Sequence, residues 1–204
     1  MKKIVLSLGL MLSITLMAIN TNAQISGGIK AEANMSNFIL SDMDNVESKL
    51  GFGASLGGFA RFDFSENFAL QPELLFHFKS STTEIGSIEN DYRFWGAEIP
   101  VYALGKWNMG NGKCYVGLGP YVGLGFSAKY DNLDLDLYEK DDITDKSALQ
   151  RFDFGFGAML GYEFGNGIQI NAGYKIGIID ALDAGKDDAN MLPQTISLGI
   201  GYRF

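Results

Sequence analysis

The 204-residue chain reads as an all-β protein, an eight-stranded antiparallel up-and-down transmembrane β-barrel. Three observations predict it. Eight segments alternate apolar and polar residues with a period of two. The connections between them alternate between short turns and long polar loops. Glycines gather on the polar face of the strands, while bulky apolar side chains occupy the other.

Before the first strand, Met1, Lys2 and Lys3 precede an apolar run from Ile4 to Ile19 and the small-residue stretch Asn20-Thr21-Asn22-Ala23. Basic, apolar and small-residue regions in that order predict a signal peptide over 1–23 and a mature domain over 24–204. The apolar run falls short of the roughly 20 residues of a membrane-spanning helix, and no later stretch approaches that length. Cys114 is the single cysteine, so no internal disulfide holds an exported chain of this sequence, and no cysteine near the cleavage site offers a lipid anchor. The mature chain is therefore either soluble or spans by strands.

The first strand covers 24–37. Ile25, Ile29, Ala31, Ala33 and Met35 fall on one face, and Lys30, Glu32, Asn34 and Ser36 alternate with them. The same test predicts strands at about 50–64, 68–79, 92–107, 114–129, 151–164, 168–179 and 192–204. Most are longer than the roughly five or six residues of a soluble sheet and suit tilted membrane strands. Ser65-Glu66-Asn67, Asn108 to Lys113 and Gly165-Asn166-Gly167 are short and carry hairpin residues. Residues 39–49, 80–91, 130–149 and 180–190 form the longer polar connections. With both termini at the short-turn end, this is an up-and-down meander closed on itself. Pro72, Pro100, Pro120 and Pro193 fall inside strands, where each removes a ladder donor, and bulges are expected there.

Alternation alone does not say which face looks inward, since a soluble lipocalin-like carrier would turn its apolar face to the axis. Glycine decides. By parity the polar face carries sixteen glycines, among them Gly28, Gly117, Gly155, Gly157 and Gly161, whereas the apolar face carries Gly27, Gly58 and Gly105. Eight strands enclose room for little beyond packed side chains, so the small residues belong inside. Phe62, Phe76, Leu118, Leu124, Phe156 and Leu160 are then forced outward. In water that surface would exceed the few hundred Å² of apolar patch a monomer tolerates, and in lipid it is the expected coat.

Aromatic residues sharpen the assignment. Phe62, Phe64, Phe68, Trp107, Tyr162, Phe164, Tyr202 and Phe204 lie beside the short turns, and Phe76, Phe78, Trp95, Phe126, Phe152 and Phe154 lie toward the long loops. Two such belts match the girdles at the two membrane interfaces. The four long loops hold 17 of the 24 acids and 4 of the 16 bases, an acidic rim that excludes nucleic acid as a partner.

The chain ends SLGIGYRF, with Phe204 last, Tyr202 two before it, and Ile200, Leu198 and Ile196 at alternate places. This resembles the C-terminal signal by which outer-membrane barrels are recognised by the barrel assembly machinery. More of the chain is similar to the PorT-like outer membrane protein beta-barrel family of Bacteroidota-type bacteria. The likeness is carried by GIKAEANMSNF (28–38), LQPELLF (70–76), AEIPVYALGKW (97–107), GLGPYVGLGFSAK (117–129), FDFGFGAMLGYEFGNG (152–167) and GIGYRF (199–204). The resemblance implies the outer membrane of a Gram-negative bacterium, contact with its lipid and lipopolysaccharide, and a role accessory to secretion or envelope assembly. It brings no catalytic residues.

The residues themselves offer three candidates for chemistry. Lys30, Glu32, Arg61, Asp63, Glu73, Glu98, Lys106, Lys129, Arg151, Asp153, Glu163, Lys175 and Arg203 share the polar face, either as a lumen selecting solutes or as a salt-bridged plug; the width of eight strands favours the plug. His77, the single histidine, could serve as a general base with Ser80, Ser81 or Glu73 near it in sequence. No nucleophile motif surrounds it, and membership of an interior hydrogen-bond network is the simpler reading. The 130–149 loop carries seven acids, but Tyr138 and Lys140 stand where an EF-hand needs a ligand and its turn glycine. A solvated acidic rim, or loose cation bridging to lipopolysaccharide, fits it better. Cys114 reads as a small apolar filler on the outer face, and GLGPYVGLG lies within a strand, so it is not a dinucleotide fingerprint.

The expectation is a non-enzymatic barrel with no cofactor, no metal site and no catalytic residue. Its structural or protein-interaction role is exercised through the loops at 39–49, 80–91, 130–149 and 180–190. A narrow channel for small solutes, a lipid-modifying membrane enzyme and a soluble carrier are the competing readings.

Overall fold

The computed structural model describes residues 24–41, 46–49, 51–85, 88–130, 133–136, 151–179 and 190–204. Residues 1–23 lie outside them, as do the 137–150 and 180–189 stretches. Ten strands are present among the described residues: β1 (Gln24–Ser41), β2 (Val46–Lys49), β3 (Gly51–Asp63), β4 (Phe68–Ile85), β5 (Ile88–Met109), β6 (Gly112–Tyr130), β7 (Leu133–Asp136), β8 (Phe152–Phe164), β9 (Ile168–Gly177) and β10 (Asn190–Arg203). All pairings are antiparallel. β1, β3, β4, β5, β6, β8, β9 and β10 each pair with two neighbours, and β10 returns to β1, so eight strands close into a barrel. Closure satisfies the backbone between strands, which hydrocarbon requires of any spanning sheet.

Register fixes the two faces. Across β1 and β10, Ile29 lies opposite Tyr202, Ala31 opposite Ile200 and Ala33 opposite Leu198, while Lys30 and Glu32 between them lie opposite Gly201 and Gly199. The first set looks out. Leu118 is 62% and Leu160 57% exposed, and Phe52, Leu56, Leu198 and Ile200 are similarly bare, whereas Lys30 and Glu32 are buried. A lipocalin-like arrangement would invert these values. Ring pairs mark both ends of the outer face. Phe64–Phe68, Tyr162–Phe164 and Tyr202–Phe204 lie beside the turns, with centroids 5.9, 4.9 and 6.1 Å apart, and Phe78–Trp95 lies toward the loops at 4.9 Å.

The interior is filled by bulky side chains laid over glycine. Tyr102, Leu104, Tyr115, Met159 and Ala69 form a buried cluster, with Phe59, Leu75 and Tyr121 also inside. A Cβ added at Gly155 would sit 2.7 Å from the Tyr121 ring, and one at Gly157 would sit 2.8 Å from the Tyr102 hydroxyl. The glycine face is thus the space into which the aromatic rings pack. At the turns, Gly110 (φ 60°) lies in the two-residue connection between Met109 and Gly112, and Gly167 (φ 88°) donates to the Phe164 carbonyl at 2.9 Å. Both adopt the left-handed backbone that glycine tolerates without cost.

Three expectations need correction. The segments read as long loops are partly strand. β4 and β5 stay paired to Ile85 and Ile88, β2 joins β4 from Val46 opposite Ile85 to Lys49 opposite Thr82, and β7 joins β6. Polar side chains do not stop a hairpin once the register below is set. The prolines produce no bulge: toward the preceding strand, pairing skips Pro72, Pro100 and Pro120 and resumes in the same register, and Pro193 stays opposite Phe38 in an unbroken ladder. The barrel's own irregularity lies between Trp95 and Gly96, where β6 carries one extra residue, Phe126. Lastly, Arg151 precedes β8 and is exposed instead of lying on the inner face.

Candidate functional site

The candidate site is the polar interior. Alternation along β1 sends Lys30, Glu32, Asn34 and Ser36 to the axis; β3 sends Ser55 and Arg61; β4 sends Gln71, Glu73, His77 and Lys79. Across the barrel, β5 supplies Glu98 and Lys106, β8 Asp153 and Glu163, β9 Gln169, Asn171 and Lys175, and β10 Thr195, Ser197 and Arg203. Among the described residues inside, the cations Lys30, Arg61, Lys79, Lys106, Lys113, Lys175 and Arg203 face the anions Glu32, Asp63, Glu73, Glu98, Asp153 and Glu163, seven against six.

These charges are joined in sequence along the axis. At the turn end, Arg203 donates to Glu163 through Nε (2.9 Å) and Nη2 (2.5 Å). Glu163 also accepts from Arg61 Nη1 at 2.5 Å and Gln169 Nε2 at 2.8 Å. Arg61 Nε continues to Gln71 Oε1 at 2.8 Å, and Gln71 Nε2 to Glu73 Oε1 at 2.7 Å. Glu73 pairs with Lys30 at 3.0 Å, and Lys30 with Glu32 at 2.8 Å. One connected path therefore runs from the mouth to mid-barrel. Nearer the loops, Glu98 holds Lys175 and lies 3.4 Å from Lys79, and Tyr121 donates to Asp153 at 2.9 Å. Asn34 and Ser36 add neutral cross-links to Ser55 (2.6 Å) and Thr195 (3.2 Å). Buried ions persist only with partners, and each carboxylate of the path has at least one. Glu32 Oε2, Asn34 Oδ1 and both amide atoms of Asn171 have no protein partner, and are groups of the kind that buried water bridges.

Most residues read from the sequence as the inner charged face are brought together here. Lys30, Glu32, Arg61, Glu73, Glu98, Lys106, Glu163 and Lys175 are buried, and Asp63, Asp153 and Arg203 are half-buried at the two ends. The side chain of Lys129 lies outside the described residues. The sequence reading passed over Lys79, Gln71 and Gln169. Parity with Glu73 and Glu163 was the signal that could have found them.

His77 does not assemble a triad. Its Nδ1 lies 3.8 Å from Glu98 Oε2, and that carboxylate is held by lysines. Glu73 is engaged by Lys30 and Gln71, and Ser80 Oγ donates to the Phe52 carbonyl at 2.5 Å. His77 instead packs over Gly96, whose added Cβ would meet Nε2 at 2.8 Å. The Ser81 side chain lies outside the described residues. Among the described residues no group of three or more His, Cys, Asp or Glu side chains is disposed to hold a metal ion.

Residues 15–183 match the outer membrane protein beta-barrel domain family. The chain belongs to that family. Its fold is shared with solved members of the outer-membrane barrels. Neisserial surface protein A is similar at 14% identity and a TM-score of 0.54, covering 89% of this chain and 99% of that one. OprG from Pseudomonas aeruginosa is similar at 13% identity and a TM-score of 0.50, covering 91% and 99%. The outer membrane enzyme PagL gives 11% identity and a TM-score of 0.46, over 84% and 98%. No curated protein sequence matches the chain. Family membership places the protein in the outer membrane of a Gram-negative bacterium, and the likeness to Neisserial surface protein A and OprG establishes the fold.

Proposed function

We propose that this barrel is a plugged, non-enzymatic outer-membrane anchor with a structural or protein-interaction role, accessory to secretion or envelope assembly as the PorT-like resemblance implies. The observation that carries the reading is the connected path Arg203–Glu163–Arg61–Gln71–Glu73–Lys30–Glu32, flanked by buried Tyr102 and Tyr115. A permeating ion would have to break several buried pairs in turn, each costing about 3–5 kcal/mol when one partner is stranded. The commitment of Glu73, Glu98 and Ser80 to other partners supports the absence of a hydrolytic centre at His77.

The surface that would meet a partner is the acidic end. There β2, the upper halves of β4 and β5, and β7 continue the sheet beyond the ring, and segments 39–49, 80–91, 130–149 and 180–190 gather the acids. Bare aliphatic and aromatic side chains contact lipid and lipopolysaccharide, and Phe204 offers the assembly signal. Single-channel recording of the refolded protein in planar bilayers tests the plug: no discrete conductance steps are expected, and reproducible steps would replace this reading with the narrow channel. For the enzyme alternative, His77→Ala is expected to leave the lipid profile of the host membrane unchanged.

A further inference from the structure

The turn end of the barrel encloses a cavity of about 400 Å³, lined by Arg61, Lys106, Lys113 and Arg203 together with Asp63, Glu66 and Glu163, and closed on one side by the Phe64–Ser65 turn. The turn is tied down: Asn67 Nδ2 donates to the Lys106 carbonyl at 2.9 Å, and the Lys106 amide donates to the Asn67 carbonyl at 2.8 Å. The wall is therefore preformed.

Its charges do not cancel. Lys106 is matched by Asp63. Glu163 alone serves both Arg61 and Arg203, so that trio carries one uncompensated positive charge. Lys113 makes no ion pair among the described residues, and Glu66 sits exposed on the turn. Glu163 is already fully used, with Arg61 and Gln169 on one oxygen and two nitrogens of Arg203 on the other. Arg61 is 3% exposed, its Nη2 is buried with no protein acceptor, and its guanidinium lies within 5.7 and 5.6 Å of the Phe59 and Tyr115 ring centroids. Those rings hold the plane of the guanidinium without supplying a lone pair in that plane.

We propose that this cavity binds a small oxyanion, a carboxylate or a phosphate, between Arg61, Arg203 and Lys113. A negatively charged acceptor would balance the excess charge on Arg61, Arg203 and Lys113, the pairing that planar arginine donors favour. A volume of about 400 Å³ lies near the small end of the range for ligand sites, and admits inorganic phosphate or the end of a short peptide. Short turns of outer-membrane barrels face the periplasm, so the site opens to periplasmic solutes.

The test is calorimetric titration of the refolded full-length mature barrel in detergent with inorganic phosphate and, separately, with acetyl-Ala-Ala and its C-terminal amide. Saturable binding of phosphate, of the peptide acid or of both, with none of the amide, is expected, and the arms separate the two sources. Lys113→Gln removes a side chain with no internal partner, and should weaken binding about tenfold while leaving the barrel's circular dichroism intact, as expected for loss of one charge-assisted contact. Lys113→Arg should retain it. Absence of saturable binding by every probe, binding of the amide as tight as the acid, or an unchanged affinity in Lys113→Gln would each overturn the proposal.

Discussion

Glu98 offers the sharpest trial of the buried network. Its side chain is 1% exposed and pairs with Lys175, 5% exposed, and Lys79, 17% exposed. Substituting Glu98→Gln removes the anion and keeps the shape. Lys79, near the loop end, can turn to water, and its loss resembles that of a surface pair, at most about 1 kcal/mol. Lys175 has no such exit. Leaving one ammonium in the interior without its carboxylate should cost about 3–5 kcal/mol, with the remaining amide oxygen holding the value toward the lower bound. The double variant Glu98→Gln/Lys175→Met removes both charges, and should recover stability to within about 1 kcal/mol of the parent, because a missing pair costs far less than half a pair. Urea unfolding of the barrel in lipid vesicles, followed by fluorescence of Trp95 and Trp107 on the outer face, reads these values wherever unfolding and refolding curves coincide. A single variant within about 1 kcal/mol of the parent, or a double variant as unstable as the single, would refute the view that these charges are desolvated and paired.

Other outcomes follow from the packing. Gly161→Ala, whose new methyl would strike the buried Tyr115 ring, should lose about 1–3 kcal/mol, whereas Gly105→Ala on the outer face, with Val116 O at 3.9 Å, should change stability little; urea titration of both compares them. Leu118→Arg, on a lipid-facing side chain 62% exposed, should cost about 2–4 kcal/mol in vesicles if Leu118 lies near the bilayer midplane. A spin label at Leu118 or Leu160 should be accessible to oxygen and shielded from a water-soluble relaxant. Removal of Phe204 should lower the yield of folded barrel in the outer membrane, measured by heat-modifiable migration, while leaving purified protein able to refold in detergent.

Much of this protein is written in a two-residue rhythm. Alternation in 24–37 and its seven counterparts is a local property, because successive side chains of an extended chain must take opposite sides, so the number, order and facing of the eight barrel strands were legible without a structure, and the short β2 and β7 were not. The same parity located the charged face, apart from Arg151, which lies one residue before β8 begins, and Lys79, Gln71 and Gln169, which parity contained. What parity cannot carry is which strand height meets which. That Arg61 of β3 reaches Glu163 of β8, 102 residues away, depends on the stagger of eight registers around a closed ring. So does the placing of Tyr102 of β5 over Gly157 of β8, two strands away. The extension of β4 and β5 through polar sequence to Ile85 and Ile88 was also hidden, since ladder hydrogen bonds propagate a register already set below and are indifferent to side-chain polarity. Sequence alone determined that greasy side chains would clothe a barrel and small or charged ones would line it. Only the closed tertiary ring decided which charges pair and where a cationic mouth is left over, because those are distances across the axis, and no local pattern encodes them.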